Sequence, residues 1–328
     1  MADGMPPEVA VGRGGHRRQN PAQGAELVHV ATRTQVSRLS VGETQVVRKQ
    51  PRGPDARQRL EHERAMLKRL RGVRGVAQLL DAPQYPGSIV MADAGETNLA
   101  DRARPLAVEE LLDLAVELAR AVAGMHHCGV MHRDITPANV VVSVGGVPTL
   151  VDFALATSLA ETRPEFTHHS QIVGTLAYLA PEQTGRTGRS VDQRADLYAL
   201  GATLYELATG APPFGFGDPL RLTHDHLARV PVPPAQVDPT VPEPLSAIVM
   251  HLLEKEPDSR YQTAEGVVHD LERLREPVRP SHRARCGSAS GTSRCGFCRR
   301  RGWWAATTRW RRCRRHSRPR GTASAGSC

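Results

Sequence analysis

The chain has 328 residues, of which 40% are hydrophobic and 23% are charged, so it suits one large or two small globular domains and excludes disorder over the full length. No apolar run approaches the ~18–20 residues that a membrane helix needs, and the first twenty residues lack the apolar stretch of a signal peptide. We therefore expect a soluble, cytoplasmic protein with no membrane partner.

The net charge of +9 is concentrated at the C-terminal end. Residues 277–328 contain 14 arginines and no acidic residue, whereas residues 1–276 contain 29 basic and 34 acidic side chains. After Leu274 there is no further Leu, Ile or Met, so this tail lacks the aliphatic surface for a core of its own. We expect residues 1–25, which are rich in Gly, Arg and Pro, to form a disordered leader and residues 277–328 to form a disordered basic tail.

Three interpretations of the tail remain open. Cys295 and Cys298 form a CxxC pair that could start a zinc site, with further candidate ligands at Cys286, Cys313 and His316. Arginine runs with interleaved tryptophans could instead form a nucleic-acid-binding arm. The third interpretation is a frameshifted end, since GC-rich DNA read out of frame yields Arg, Cys, Trp, Gly, Ser and Ala at random. We favour the third, because no second metal-binding pair appears, and we expect no specific nucleic-acid partner.

The regular part of the chain begins with short β-like segments. Alternating or clustered β-forming residues predict strands over 26–31, 35–41, 44–50, 76–82 and 88–93. Between the third and fourth of these, Pro54 and Asp55 open a helix that extends to about Leu70. Apolar spacing of 3.6 residues gives this helix one face, formed by Leu60, Glu63, Leu67 and Leu70.

Glu63 is the exception on this apolar face. A carboxylate is costly to bury without a cation, and Lys49 on the preceding strand is the obvious partner. The alternative is that Glu63 lies only at the edge of the apolar stripe, where water solvates it.

From Val108 onward the pattern becomes helical. A broad apolar face predicts a helix from Val108 to His127 that ends at Gly129, and later helices are predicted over 192–209, 218–228, 242–254 and 263–275. Strands followed by helices in blocks indicate an α+β chain with two lobes. We expect a small β-rich N-lobe with one helix at 26–94 and a larger helical C-lobe at 95–276.

A series of short motifs lies between and within the lobes. In chain order they are HRDITPANVVV (132–142), LVDFA (150–154), GTLAYLAPEQ (174–183), ADLYALG (195–201) and EPDSRY (256–261). Their identity, order and separations resemble the protein kinase family over roughly residues 26–275. Three segments, HRDITPAN (132–139), GTLAYLAPEQTGR (174–186) and DPL (218–220) after the Pro-Pro-Phe segment, resemble the N-terminal serine/threonine kinase domain of bacterial kinase–ATPase–sensor histidine kinase hybrid proteins.

The resemblance implies a two-lobed protein-kinase-like fold and a function. A member of this family transfers the γ-phosphate of ATP to serine or threonine hydroxyls of a protein substrate, with Mg²⁺ as the metal cofactor. The resemblance to the hybrid proteins also implies downstream ATPase and histidine kinase modules as partners.

The resemblance also implies a role for each matching residue. Lys49 contacts the α- and β-phosphates and is held by Glu63. Asp134 orients the substrate hydroxyl and accepts its proton, whereas Asn139 and Asp152 supply oxygen ligands to Mg²⁺. Four positions would line the adenine pocket: Val28, Val36, Met91 and Ala94.

Supporting contacts follow from the same resemblance. Asp196 would bind the backbone around Arg133, and Glu182 would pair with Arg260. Arg133 before the catalytic aspartate implies control by phosphorylation of the loop 155–173, and the alternative for any one hydroxyl group is an ordinary solvated loop residue. The hydroxyl groups of this loop belong to Thr157, Ser158, Thr162, Thr167 and Ser170.

Three departures from the family pattern bear on the activity. The loop that normally contains three glycines has His29, Ala31 and Thr34 at those positions, although glycine lets backbone N–H groups approach phosphates closely. Thr136 stands where most serine/threonine kinases have a lysine on the γ-phosphate, and Ala154 replaces the glycine after Asp-Phe. We expect an enzyme with reduced activity. The alternative is a pseudokinase that acts as a nucleotide-sensing or partner-binding scaffold.

Overall fold

The structure is a computed structural model that describes four stretches of the chain: residues 19–20, 25–42, 44–159 and 175–275. All of these stretches belong to one compact unit, Met1–Val278. The three interpretations of the tail therefore concern residues outside the described part of the chain. So do most of the expected leader and the hydroxyl groups of Thr162, Thr167 and Ser170.

An antiparallel five-stranded sheet forms the N-lobe. Its strands are adjacent in chain order: β1 (Gln19–Asn20), β2 (Ala25–Ala31), β3 (Thr34–Val41), β4 (Thr44–Pro51) and β5 (Ile89–Ala92). The predictions over 26–31, 35–41, 44–50 and 88–93 are confirmed. The two-residue β1 lies inside the expected leader and was missed, because two residues carry no detectable period.

The sheet has two distinct faces, because cross-strand partners in an antiparallel sheet point to the same side. Lys49 pairs with Val36 on one neighbouring strand and with Ile89 on the other. This face joins the main hydrophobic core through Ile89 and Met91. The opposite face has a small core of its own, formed by Leu39, Val46 and Val90.

Helix α1 (Ala56–Arg69) packs beside β4 on the face that carries Lys49. Its inward positions follow the predicted 3.6-residue spacing, with Leu67 fully buried and Glu63 only 2% exposed. The interpretation of Glu63 as a solvated residue at the edge of the stripe is therefore wrong.

The strand predicted over 76–82 is also wrong. Val76 and Leu79 form only isolated bridges, to Leu150 and Met91 respectively. The segment divides its backbone hydrogen bonds between two neighbours, since Ala77 donates to the Leu150 oxygen at 2.9 Å whereas Leu80 donates to the Val90 oxygen at 2.8 Å. The Gln78 side chain also bonds locally, to the backbone of residues 72–76. Val76 and Ala77 are buried and Leu79 and Leu80 are half-buried, but the change of partner within the segment prevents a regular ladder.

The rest of the described chain is mainly helical and forms the C-lobe. Its helices are α2 (Val108–His127), α3 (Arg194–Thr209), α4 (Pro219–Ala228), α5 (Pro234–Val237), α6 (Glu243–Leu252) and α7 (Ala264–Arg275). All but α5 were predicted. Helix α5 is a single turn after two prolines and is too short to show a hydrophobic period.

Two small antiparallel sheets lie beside the motif segments 132–142 and 150–154 in the chain. One sheet contains β6 (Thr97–Asn98), β8 (Val140–Val142) and β9 (Pro148–Leu150), and the other pairs β7 (Val130–Met131) with β10 (Thr157–Ser158). The α+β class, with a β-rich N-lobe and a helical C-lobe, is confirmed.

One continuous core connects the lobes. It includes Ile89 and Met91 of the sheet, Leu67 of α1 and most of α2, and it extends through α3 to α6 and α7. Helix α3 is buried on every side from Ala195 to Ala208, as expected for a helix at the centre of a lobe. Within the described ranges, no helix combines the length and the apolar character that crossing a membrane requires.

Candidate active site

Lys49 lies at the centre of an ion-pair network between the lobes. Its Nζ lies 2.7 Å from Glu63 Oε1 on α1 and 2.6 Å from Asp152 Oδ1 of the DFA segment. Glu63 Oε1 also accepts the backbone N–H of Phe153 at 3.2 Å. The structure thus contains the predicted Lys49–Glu63 pair and attaches both α1 and β4 to the residues around Asp152.

Burial and charge act in opposite directions on this network. Burial disfavours the Lys49 ammonium ion, but the two adjacent carboxylates outweigh that effect and raise the pKa of Lys49 above its usual value. Burial likewise opposes ionisation of Asp152, and Lys49 more than compensates, so the pKa of Asp152 is lowered. At neutral pH the site therefore contains a charged lysine and a charged aspartate.

Asp134 and Asn139 form a second polar pair in the segment that follows β7. Asn139 Nδ2 donates to both the backbone oxygen and Oδ2 of Asp134, at 2.9 Å each. The backbone oxygen of Asn139 accepts the N–H of Val151, which precedes Asp152. These bonds orient the Asn139 amide so that its nitrogen faces Asp134 and its oxygen faces away.

Asp196, at the start of α3, organises the backbone before Asp134. Its carboxylate accepts the N–H groups of His132 and Arg133 at 2.9 and 2.7 Å, and it lies 2.9 Å from Nε2 of His126. Arg133 has φ of 67°, a strained value for a residue with a side chain. Burial opposes ionisation, but the hydrogen bonds from His126 and the backbone lower the pKa of Asp196. The predicted contact is present and stabilises this strained turn.

The two central motifs also contact each other through their aromatic rings. The rings of His132 and Phe153 pack edge to face with centroids 4.6 Å apart, and His132 Nε2 lies 3.1 Å from the Val151 oxygen. Sequence reasoning missed this contact, because nothing in the spacing of the two motifs indicates which side chains meet.

A buried ion pair fixes the end of the GTLAYLAPEQ motif. Both carboxylate oxygens of Glu182 accept from the Arg260 guanidinium, at 2.6 and 2.7 Å, and both side chains are inaccessible to solvent. Arg260 also donates to the backbone oxygens of Arg194 and Glu254. The predicted pair is present, and it connects the motif to the chain beyond α6.

The candidate adenine-pocket residues lie in different environments. Val36 and Met91 both lie on the sheet face that carries Lys49. Ala94 is the second residue after β5 and is half-buried. Val28 is 48% exposed and lies at a bulge in the β2–β3 pairing, where the register shifts between Leu27 and His29. The structure brings Val36, Met91 and Lys49 to one surface and leaves Val28 at its rim.

The three positions without glycine also belong to this surface. His29 pairs with Val36, and Ala31 pairs with Thr34, so all these side chains point to the same face of the sheet as Lys49. Their Cβ atoms therefore lie on the face of the sheet that carries Lys49. Thr136 is buried, and a threonine there supplies no cation.

Asn139 and Asp152 fit the ligand set of a magnesium ion. Both offer oxygen atoms, and the Asp152 side chain is 44% exposed, with Lys49 hydrogen-bonded to Oδ1 only. Among the described residues there is no cluster of three or more His, Cys, Asp or Glu arranged for a metal. Mg²⁺ does not need one, since it keeps several waters and binds one or two protein oxygens together with phosphates.

Comparison with known proteins identifies the family. Residues 32–271 match the family model described as "Protein kinase domain". The chain is 38% identical over 197 residues to the serine/threonine-protein kinase PknB of Mycolicibacterium smegmatis, which covers 60% of this chain and 30% of that protein. It is 37% identical over 169 residues to the probable serine/threonine-protein kinase SCO3848 of Streptomyces coelicolor, covering 52% of this chain and 25% of that protein.

These relatives are longer than the matched region, so this chain spans less than a third of the length of either. The family match extends over well more than half of this chain, from β3 into α7, and includes the five motifs between residues 132 and 261. The chain therefore belongs to the protein kinase domain family.

Proposed function

We propose that this chain transfers the γ-phosphate of ATP to serine or threonine hydroxyls of a protein substrate in bacterial signalling. The observation that carries the proposal is the convergence of five polar groups: Lys49, Glu63 and Asp152 in one ion-pair network, and Asp134 and Asn139 in one hydrogen-bonded pair. Phosphoryl transfer needs phosphate charge neutralised and a hydroxyl held in line, and these groups supply both functions.

These groups divide the tasks of the proposed reaction among them. Lys49, kept charged by its two carboxylates, binds the α- and β-phosphates. Asn139 and Asp152 would hold Mg²⁺, which when bound neutralises charge on the phosphate oxygens. Asp134, oriented by the Asn139 amide, receives the proton of the substrate hydroxyl.

We propose that the activity is reduced relative to kinases with a complete glycine loop. The side chains of His29, Ala31 and Thr34 occupy the face from which the loop would contact phosphate, so fewer backbone N–H groups reach it. Thr136 removes a cation from the region of the γ-phosphate. Both changes weaken phosphate binding without touching the five polar groups.

A pseudokinase that binds nucleotide or a partner without transfer is the second candidate. The observations that favour it are the same missing glycines and Thr136. The two candidates differ in one measurable property, because a scaffold binds ATP without forming a phosphoprotein.

We also propose the organisation of the larger protein. Residues 26–94 and 95–276 act as the two lobes of a cytoplasmic kinase domain, and the resemblance to hybrid proteins suggests that ATPase and histidine kinase modules follow it. The relatives, which are three or more times longer than their matched segments, support a domain within a longer protein. Translating the DNA beyond codon 277 in the other two frames tests this: an ATPase phosphate loop there supports the hybrid, and its absence from both frames contradicts it.

The direct test of the function is phosphate transfer by the full chain. We expect label from γ-labelled ATP to appear on phosphoserine or phosphothreonine of a generic protein acceptor or of the chain itself, only when Mg²⁺ is present. Label on phosphotyrosine would contradict the acceptor class. Tight ATP binding with no label on any acceptor would favour the pseudokinase.

A further inference from the structure

The segment that connects the two lobes is held by a side chain that no motif includes. Residues 93–96, here called the linker, connect β5 of the N-lobe sheet to β6 of the small sheet in the C-lobe. Ala94, the proposed adenine-pocket residue, lies within the linker. The position of the linker backbone therefore decides what a bound nucleobase would meet.

Arg38 on β3 contacts this linker at two points. Its Nε donates to Asp93 Oδ2 at 2.6 Å, and its Nη2 donates to Asp93 Oδ1 at 3.3 Å and to the backbone oxygen of Gly95 at 2.6 Å. The guanidinium thus spans the residues on either side of Ala94. Asp93 Oδ1 in turn accepts the Gly95 N–H at 3.1 Å, which closes the turn.

The environment of Arg38 makes these contacts strong. Its side chain is 11% exposed and that of Asp93 is 15% exposed, and Glu26 on β2 lies 3.6 Å from Nη1. Burial alone would lower the pKa of Arg38, but the hydrogen bond and charge of Asp93, with smaller effects of Glu26 and Glu96, raise it. Charge-assisted, bidentate bonds of this kind fix geometry as well as supplying energy.

The other side of the linker rests on the C-lobe. Gly95 has φ of +143°, and a Cβ atom there would lie 2.5 Å from the backbone oxygen of Val142, at the end of β8. Only glycine permits this approach. The linker is therefore confined between Arg38 of the N-lobe and Val142 of the C-lobe.

Arg38 is also placed to act on the nucleotide side of the sheet. It pairs with Val47, which pairs with Met91, so the three lie in one row across β3, β4 and β5. Two residues further along the strands is the row formed by Val36, Lys49 and Ile89, on the same face. One face of the sheet thus carries both the lysine of the ion-pair network and the arginine that holds the linker.

We propose that Arg38 is a positioning residue that, through Asp93 and the Gly95 carbonyl, holds the linker backbone in the conformation that binds the nucleobase. The proposal deepens the proposed function, because it assumes that the cleft takes a purine nucleotide. Arg38 bonds to the linker and is not part of the ion-pair network around Lys49, so its loss lowers nucleotide affinity and leaves the rate of transfer at saturating ATP largely unchanged.

The test compares three variants of the full chain. Arg38→Met removes the charge at similar length, and Arg38→Lys keeps the charge without the planar fork. Arg48→Met is the matched control, since Arg48 lies on the other face of β4 and bonds to Ser88 Oγ at 2.8 Å, away from the linker. Amide hydrogen exchange of the nucleotide-free proteins is measured for peptides that cover residues 93–98, and ADP affinity is measured by calorimetry.

We expect Arg38→Met to speed exchange at 93–98 by about tenfold or more and to weaken ADP binding by about tenfold, with Arg38→Lys intermediate and Arg48→Met unchanged. The KM for ATP should rise while kcat stays within about threefold. Equal exchange in Arg38→Met and wild type, or faster exchange with unchanged ADP affinity, would overturn the proposal. Absence of ADP binding by the wild type would instead refute the proposed function, and the exchange data would still decide whether Arg38 holds the linker.

Discussion

Replacing Lys49 by methionine should be costly to stability as well as to activity. Methionine fills a similar volume, but Glu63 would stay buried, at 2% exposure, without a cation. Breaking a buried ion pair by removing one partner costs about 3–5 kcal/mol. We expect the lower value, about 3 kcal/mol, because the second carboxylate, Asp152, is 44% exposed and can be solvated.

The sign of the pH dependence follows from the same contacts. The pKa of Glu63 is raised because burial disfavours its carboxylate, although Lys49 opposes this. Without Lys49 the pKa rises further, and a buried acid with a raised pKa loses stability as pH increases above its unfolded value of about 4.3. The stability difference between wild type and Lys49→Met should therefore be smallest near pH 4 and largest at neutral pH.

Thermal and urea unfolding test this prediction. A loss of about 3 kcal/mol corresponds to a fall in Tm of about 6–12 °C for a domain of this size. Adding Glu63→Gln to Lys49→Met should restore about 1–3 kcal/mol, because the buried charge is removed. Lys68→Met is the control, because Lys68 is exposed on the helix that carries Glu63. It should change the free energy of unfolding by less than about 0.5 kcal/mol. A loss below about 1 kcal/mol, with no recovery in the double variant, would refute the reasoning.

Three further predictions follow from the same structure. Glycines at positions 29, 31 and 34 should tighten ATP binding measured by calorimetry, since they remove three Cβ atoms from the phosphate side of the sheet; unchanged or weaker binding would show that the loop closes in another way. Arg260→Met should lower the free energy of unfolding by about 3–5 kcal/mol, because it removes the only cation within 4 Å of the buried Glu182 carboxylate among the described residues. A loss under about 1 kcal/mol would contradict this prediction. The arginine-rich tail should bind DNA and RNA oligonucleotides weakly and without sequence preference, and this binding should be lost between ~50 and ~200 mM salt. A preference of about 100-fold for one oligonucleotide that is absent from a chain truncated after residue 276 would contradict this expectation.

The sequence predicted best those features that depend on local periodicity. The spacing of Leu60, Glu63 and Leu67 predicted α1 together with its buried face, and β-forming runs predicted four strands. It also predicted the Lys49–Glu63 pair, because a carboxylate on an apolar face requires a cation and a lysine was available on the preceding strand.

Features that depend on tertiary contacts were not accessible in this way. The segment 76–82 has the composition of a strand, and only its tertiary contacts show why it is not a regular one, since its backbone bonds first to Leu150 and then to β5. Arg38 and Asp93 are 55 positions apart, and neither belongs to a motif, so no local pattern could pair them. His132 and Phe153 do belong to motifs, but their rings meet only because the fold brings the two motif segments together, and the spacing of the motifs does not show this.

The central claim is that the groups around Asp134 transfer phosphate. The most direct measurement is the initial rate of label transfer from γ-labelled ATP and Mg²⁺ by wild-type chain and by Asp134→Asn, with the exposed Asp81→Asn as a matched control. Because a catalytic acid or base contributes about 10²–10⁴-fold, we expect Asp134→Asn to lose at least about 100-fold and Asp81→Asn to retain the wild-type rate. Equal rates for wild type and Asp134→Asn would mean that the label comes from another kinase, and they would contradict the account.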